Sequence, residues 1–170
     1  MLAAALLAAL LTAALCLAAC GSATTGSSPA PSALPTTTLG LALDHLDRLV
    51  VSRRDAFPQN HVDFGFPAKV IVSDPTEVRA VARALLALPA MPTTALNAPI
   101  DLGITYRLVF STPGGRLPAI SVAATGTQAV RGLGATRWVA RSPGFWHTLG
   151  SAMGLARPDY ATFRGIRLSS

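Results

Sequence analysis

Cysteine is nearly absent from this chain of 170 residues, since the only two are Cys16 and Cys20. The rest of the chain therefore has no thiol for a disulfide, a zinc site or cysteine catalysis. Its fold has to be stabilised by packing. The roughly 130 residues that follow the first forty are enough for one domain that buries about two thirds of its unfolded surface.

Lysine is also scarce, because Lys69 is the only lysine among 14 basic residues and all the others are arginine. The net charge is +6. The basic residues are dispersed along the chain, and Arg53 and Arg54 are the only adjacent pair. A nucleic-acid-binding domain usually has a clustered basic stripe and a recognisable motif. The sequence therefore predicts that nucleic acid is not a partner.

Charge is missing altogether before Cys20, where residues 2–19 are almost entirely Ala and Leu. This run is long enough to span a membrane, but it ends in Leu17-Ala18-Ala19-Cys20, followed by small residues. That end resembles the lipobox of bacterial lipoproteins, in which the cysteine sulfur accepts a diacylglyceryl group and the leader is cut just before it. The resemblance implies a signal peptide at 1–19, lipidation of Cys20, and anchoring to the extracytoplasmic face of the cell membrane. Ordinary secretion and an uncleaved anchor stay open as alternatives, because secretory leaders normally begin with Lys or Arg.

Between Cys20 and residue 40 large apolar side chains are few and charged residues are absent. Such a segment cannot bury enough surface to offset the entropy lost on ordering. The sequence thus predicts a flexible tether over 20–40, whose Ser and Thr residues are either bare or O-glycosylated. A single globular domain then spans 41–170.

Strand and helix patterns alternate through this domain. Aliphatic and β-branched runs predict strands at 46–53, 68–73, 103–111, 117–123, 128–133 and 136–141. Asp74-Pro75-Thr76-Glu77 predicts the start of a helix with Asp74 as N-cap and Glu77 completing a capping box. Ser142-Pro143 predicts the start of a second helix, which ends at Gly154. The order β-β-α-β-β-β-β-α predicts an α+β domain, with an antiparallel sheet of five or six short strands packed by two helices.

Part of this pattern, from Val70 to Trp146, resembles the single domain of uncharacterised lipoproteins of high-GC Gram-positive bacteria. The residues that carry the resemblance are Val72-Ser73-Asp74-Pro75, Ala87-Leu88-Pro89, Asp101-Leu102-Gly103, Tyr106-Arg107-Leu108-Val109-Phe110, Trp138 and Phe145-Trp146. Members often carry one cysteine just before the Asp-Leu-Gly segment and another after the second hairpin strand. Ala98 and Gly126 lie near those places here, so the disulfide that the resemblance would imply is missing. The resemblance covers about half of the chain and implies no known activity.

Catalytic and cofactor motifs are not recognisable. Gly150-Ser151-Ala152-Met153-Gly154 has the wrong glycine spacing for a nucleophile elbow and lies in a predicted helix. His45, His61 and His147 do not have the spacing of a metal site, and Gly132-Leu133-Gly134 lacks the third glycine of a dinucleotide loop. The sequence therefore predicts no catalytic residue, no metal and no cofactor.

One long irregular segment, Arg54 to Pro67, contains Phe57, Phe64 and Phe66 together with His61. Long loops in compact domains frequently bind ligands. We therefore take His61 and Phe64 as candidate ligand-binding residues. An apolar lid over a sheet edge gives the same pattern and is slightly favoured.

Four more aromatic residues, Trp138, Phe145, Trp146 and Phe163, have two interpretations. They form either a carbohydrate-stacking platform or part of the core, and their strand and helix spacing favours the core.

Three functions are compatible with these features. The leading hypothesis is a lipid-anchored, non-enzymatic envelope module that binds a protein, a glycan or a small ligand. The alternatives are a wall-directed hydrolase with an unrecognised site and a basic adhesin for anionic wall polymers. A cleft that gathers His61, Asp63 and another titratable group would favour the hydrolase. A shallow apolar groove would favour the binding module, and a one-sided arginine surface would favour the adhesin.

Overall fold

The computed structural model describes residues 37–55, 57, 59, 61–94, 100–140 and 142–167. These residues belong to one unit, Ala33–Ser170. The leader, Cys20 and most of the predicted tether lie outside the described residues. Among the residues that are described, no helix is long and apolar enough to cross a membrane.

Nine strands are present in the described chain: β1 (Arg48–Asp55), β2 (Val62–Asp63), β3 (Lys69–Val72), β4 (Ile104–Thr112), β5 (Gly115–Arg116), β6 (Ile120–Ala123), β7 (Ala129–Arg131), β8 (Arg137–Trp138) and β9 (Ile166–Arg167). Seven of them form an antiparallel sheet in the order β3-β1-β4-β6-β7-β8, with β5 paired to the end of β4. β2 and β9 form a separate antiparallel pair. The predicted α+β fold with an antiparallel sheet is thereby confirmed.

The described helices are α1 (Thr38–Leu41), α2 (Pro75–Leu86), α3 (Pro143–Ala152) and α4 (Tyr160–Arg164), with a 3-10 turn at Leu43–His45. α2 and α3 are the two predicted helices. The Asp74 carboxylate accepts a hydrogen bond of 2.7 Å from the Thr76 backbone N–H, which confirms the predicted N-cap. Thr76 is the second helical residue, and neither the Glu77 N–H nor the Glu77 side chain bonds to Asp74 among the described residues, so the N-cap bond is present but the predicted capping box is not formed.

The period-two pattern of the strands separates two faces of the sheet. Leu49 and Val51 of β1 and Tyr106 and Leu108 of β4 are buried. They point towards the helices, because Tyr106 contacts the ring of Trp146 in α3. Between them, residues of the opposite parity are mostly partly or fully exposed. We call this second surface the open face.

The predicted core interpretation of the aromatic residues is correct for three of the four. Phe145, Trp146 and Phe163 are at most 2% exposed. Trp138 is half-buried, and its indole Nε1 donates to the Thr127 carbonyl at 3.0 Å. The buried Tyr106 Oη donates to the Phe163 carbonyl at 2.7 Å. α4 is therefore fastened to the centre of the sheet by both ring packing and a hydrogen bond.

Residues 37–40, at the end of the segment that the sequence assigns to the tether, belong to the folded domain. Thr37 Oγ1 accepts a hydrogen bond of 3.1 Å from the Gly40 N–H and so caps α1. Leu39 is 4% exposed and belongs to the main core. A single apolar side chain in a polar stretch was too weak a signal to place this turn in the domain.

Candidate functional site

The segment from Arg54 to Pro67 does not form one uniform loop. Phe66 is 8% exposed, and its ring lies 5.8 Å from that of Phe163 and 6.4 Å from that of Tyr106. Phe57 is 41% exposed. The three phenylalanines therefore divide between core and surface, with Phe64 in an intermediate position.

The ring of Phe64 packs against the guanidinium group of Arg53. The Arg53 Cζ atom lies 3.6 Å from the Phe64 ring centroid and 5.2 Å from that of Phe66. Arg53 Nη1 also donates to the Phe66 carbonyl at 3.2 Å. Cation–π contacts of this kind contribute about 0.5–1 kcal/mol at partly exposed sites. Phe64 thus packs over an arginine of β1.

His61 and Phe64 are not brought together at one site. His61 is exposed, has a left-handed φ of 44°, and forms no hydrogen bond in the described part of the chain. Phe64 lines a shallow groove of about 370 Å³ with Asp63, Arg157 and Asp159, and His61 is not among its lining residues. The structure thus gives His61 no role in this groove.

Both carboxylates of this groove form hydrogen bonds within their own segments. Asp159 Oδ1 accepts hydrogen bonds from the Thr162 backbone N–H at 2.9 Å and from the Thr162 hydroxyl at 3.0 Å. These bonds, led by the one from the backbone, hold the pKa of Asp159 below its usual value. Asp63 Oδ1 accepts from the Phe64 N–H at 2.8 Å. Both carboxylates cap backbone groups, so they are poorly placed to act on a substrate.

Candidate catalytic groups are similarly isolated. In the part of the chain that is described, no three His, Cys, Asp or Glu side chains come together as a possible metal site. Ser151 is exposed in α3, and Gly150 lies so close to the next loop that a Cβ there would be 2.6 Å from Pro158 Cα. His147 Nδ1 lies 3.2 Å from the Pro158 carbonyl. The glycine of this motif serves packing between α3 and the loop rather than a nucleophile elbow.

A second groove, of about 520 Å³, lies where the turn between β6 and β7 meets α4. We call it the Gln128 groove, and it is lined by Ile100, Leu102, Thr125, Gln128, Tyr160 and Arg164. Tyr160 Oη donates to the Ala124 carbonyl at 2.9 Å and accepts from Gln128 Nε2 at 3.1 Å. Burial raises the pKa of Tyr160, and the Arg164 charge opposes this shift only in part. Tyr160 is therefore a neutral donor at physiological pH.

The open face carries a row of cations that crosses the sheet. Strand pairing places Lys69 opposite Ser52, Ser52 opposite Arg107, Arg107 opposite Ser121, and Ser121 opposite Arg131. Directly paired residues share a face of the sheet. Cation and serine thus alternate across β3, β1, β4, β6 and β7. We call these five residues the basic row.

Three more arginines lie on the same face beside the basic row. Arg54 is paired with Thr105, and Arg48 and Arg116 are both paired with Ser111. All six cations of the open face are exposed. None of them forms an ion pair or a side-chain hydrogen bond within the described residues.

Acidic residues are absent from the open face of the described strands. The outward positions of β1, β3, β4, β5, β6 and β7 contain no Asp or Glu. Asp74 and Glu77 lie at the start of α2, Asp63 lies in β2, and Asp159 precedes α4. The described strands thus present six cations and no carboxylate on the open face.

Repulsion among the cations of the open face destabilises the fold only slightly. Neighbouring strands are about 4.8 Å apart, so successive cations of the basic row are about 10 Å apart. Two like charges at that distance repel by about 0.4 kcal/mol in water, and salt screens the repulsion further. The same charges together produce a positive potential that attracts multivalent anions.

Sequence reasoning missed the basic row because its members are far apart along the chain. The usable signal was the period of two in β4, which already placed Arg107 on the polar side.

No function is assigned to this chain by comparison with known proteins. Comparisons with protein-family models, with curated proteins and with solved structures found no match for this chain.

Proposed function

We propose that this protein is a non-enzymatic binding module of the cell envelope that holds an extended anionic polymer across the open face of its sheet. The observation that carries the proposal is the basic row, Lys69-Ser52-Arg107-Ser121-Arg131. The polymer would carry repeated phosphate or carboxylate groups. This is the adhesin alternative of the sequence analysis, which a one-sided arginine surface favours.

The geometry of the row suits an extended ligand. From β3 to β7 the row spans four strand spacings, or about 19 Å. Arginine presents a planar fork of donors to phosphate or carboxylate oxygens. The hydroxyls of Ser52 and Ser121 lie between the cations and provide further donors. A chain lying across the strands would meet a positive charge about every 10 Å.

A polymer fits this surface better than a small anion or a membrane. Neither the groove at Phe64 nor the Gln128 groove is lined by residues of the basic row, and the row lies across the flat strands of a sheet, which suits an extended chain better than an enclosed small anion. Docking on a membrane usually combines basic residues with apolar side chains that insert. Among the described residues of the open face, Ile71 is the only large hydrophobic residue that is strongly exposed, at 46%, and Trp138, which is paired with Ala129 on this face, is half-buried. Many weak contacts along one chain would instead give useful avidity.

The location of the protein rests on the lipobox-like Leu17-Ala18-Ala19-Cys20. Under this proposal Cys20 is acylated and the domain is held on the extracytoplasmic face of the cell membrane, close to envelope polymers. The hydrolase alternative has less support, because His61 does not line the groove that holds Asp63 and Asp159, and both carboxylates there bond to neighbouring backbone groups.

The proposal is tested by removing two charges from the open face. We expect the double variant Arg107→Gln/Arg131→Gln to bind an immobilised polyol-phosphate polymer at least about tenfold more weakly, at roughly 1 kcal/mol for each basic residue. The dependence of binding on salt concentration should also become shallower, because fewer counterions are released. Surface plasmon resonance between about 50 and 300 mM salt measures both quantities.

A matched double variant separates the open face from net charge. Arg83→Gln/Arg157→Gln removes two exposed arginines outside the open face and so lowers the net charge equally. It should retain binding within about twofold. Equal losses in the two double variants would refute a specific role for the open face. Tighter binding to vesicles that contain anionic lipid than to the polymer would replace the proposed partner with the membrane surface.

The anchor is tested separately. Mass spectrometry of the membrane-bound protein should find a diacylglyceryl group on an N-terminal Cys20, and Cys20→Ala should abolish it. An unmodified protein that starts elsewhere and is found in the medium would refute the lipoprotein proposal but leave polymer binding intact.

A further inference from the structure

The turn between β6 and β7 is held in an unusual conformation at the Gln128 groove. Gln128 has a left-handed φ of 52°, and Gly126 one of 66°. A Cβ on Gly126 would lie 2.7 Å from Asp101 Cγ. Asp101 in turn accepts a hydrogen bond of 3.0 Å from Thr125 Oγ1. The backbone is thus fixed firmly enough to keep a non-glycine residue in a conformation that costs about 1–3 kcal/mol and is common at ligand sites.

Part of the hydrogen-bonding capacity of the Gln128 side chain has no partner among the described residues. The residue is 8% exposed, and its Nε2 donates to Tyr160 Oη at 3.1 Å. Its Oε1 has no partner among the described residues, and the second proton of its amide group is also free. A nearly buried carboxamide therefore offers one acceptor and one donor to whatever enters the groove.

A cation lines the same groove as this carboxamide. Arg164 follows Tyr160 by four residues in α4, so the two side chains lie on one face of the helix. Arg164 is exposed and forms no ion pair or hydrogen bond in the described chain. Since Tyr160 is bonded to Gln128, the order along the groove is carboxamide, phenol and guanidinium. Leu102 and Ile100, the latter 75% exposed, form an apolar wall.

We infer that the Gln128 groove binds the free carboxyl end of a short peptide whose last side chain is apolar. Arg164 would pair with the terminal carboxylate through two parallel hydrogen bonds. The carboxamide of Gln128 would accept from one peptide N–H and donate to a peptide carbonyl. The last side chain would cover Ile100 and Leu102.

Each part of this ligand matches a separate group of the groove. A simple inorganic anion would use Arg164 but leave the carboxamide and the apolar wall unoccupied. An uncharged apolar compound would bury the carboxamide without a hydrogen-bond partner, which is unfavourable. The volume of about 520 Å³ lies within the usual range of small-ligand sites. The Gln128 groove includes no residue of the basic row, so this inference does not depend on polymer binding.

The experiment uses the full chain in detergent and a dye-labelled tripeptide ending in leucine, with either a free carboxylate or a C-terminal amide. Fluorescence anisotropy measures the two dissociation constants. The carboxylate form should bind at least about tenfold more tightly than the amide. Arg164→Gln should abolish this preference, whereas Arg157→Gln, an exposed arginine outside the Gln128 groove, should leave it unchanged. Tyr160→Phe, which removes the partner of Gln128, should weaken the binding of both peptides.

The possible results are distinct. Equal binding of the two peptides, a preference that survives Arg164→Gln, or the absence of binding at millimolar peptide would each overturn the inference. Circular dichroism melting checks that the variants are folded. The double variant Arg107→Gln/Arg131→Gln should retain peptide binding, so failure of the peptide site and failure of the proposed polymer site can be told apart.

Discussion

The difference between buried Phe66 and half-buried Phe64 can be tested by measuring how much each truncation lowers the stability of the domain. Phe66 is 8% exposed and packs against Tyr106 and Phe163, so Phe66→Ala should leave a cavity. Truncations of buried phenylalanine cost about 3–5 kcal/mol. The low end, about 3 kcal/mol, is expected because Phe66 lies at the edge of the core. For a domain of this size, that loss lowers the melting temperature by roughly 10 °C.

Phe64→Ala should be much milder. The substitution removes the contact with Arg53 and the burial of half of a ring, which together contribute about 1–1.5 kcal/mol. The expected fall in melting temperature is roughly 4 °C. Phe57→Ala, at a site that is 41% exposed, is a control for truncating an aromatic residue of the same segment. Differential scanning calorimetry at neutral pH measures all three. A Phe64→Ala loss as large as that of Phe66→Ala, or an unchanged melting point for Phe66→Ala, would contradict this description of the segment.

Three further substitutions test other parts of the fold. Gly165→Ala should destabilise the domain by about 1–3 kcal/mol, because the φ of Gly165 is 71° and the new Cβ would lie 2.8 Å from Phe64 Cε1. An unchanged midpoint of urea unfolding would contradict this prediction. The pKa of Asp159 is lowered in the fold, so its carboxylate stabilises the protein above the usual value of 3.8, and this contribution is lost as pH falls through the lower folded pKa. Between pH 6 and pH 3 the melting temperature should therefore fall less steeply for Asp159→Asn than for the parent, and parallel profiles would exclude this role. Leu39→Ala should lower the free energy of unfolding by about 2–3 kcal/mol, because the side chain is 4% exposed. A loss of less than about 0.5 kcal/mol, within the usual range of surface substitutions, would show that Leu39 is not part of the core.

Sequence patterns predicted the elements whose signals are local. Asp74 and Pro75 at the start of α2 are close together in the chain, and their capping geometry depends on few other residues. The alternation in β4 likewise follows from the period of a strand. The predicted limits differ from the observed ones by up to three residues, as at the start of β6, because strand ends depend on the partner strand rather than on the strand's own residues.

Features that depend on long-range pairing were not predicted. β2 and β9 are two residues each and are separated by about a hundred positions, so neither has a period long enough to detect. The basic row is a similar case. Read along the chain, the dispersed arginines spoke against a nucleic-acid partner and left a basic adhesin as one alternative, without showing which cations share a face. Strand register brings Lys69, Arg107 and Arg131 into one line. Register is set by pairing across the whole sheet, and a shift of one residue would have sent these side chains to the other face.

The order of the strands also bears on self-association at a crowded surface. At one end of the sheet, the chain around Ala90 runs beside β8: the Trp138 N–H donates to the Pro89 carbonyl at 2.9 Å, and the Met91 N–H donates to the Thr136 carbonyl at 3.0 Å. Within the described residues, β3 is thus the outermost strand at the other end, and it is four residues long and begins with Lys69. Long, flat and uncharged strands act as templates on which a neighbouring molecule can extend the sheet. A short strand with a cation offers few hydrogen bonds to such a neighbour, so molecules packed side by side should remain separate and keep their basic surfaces available.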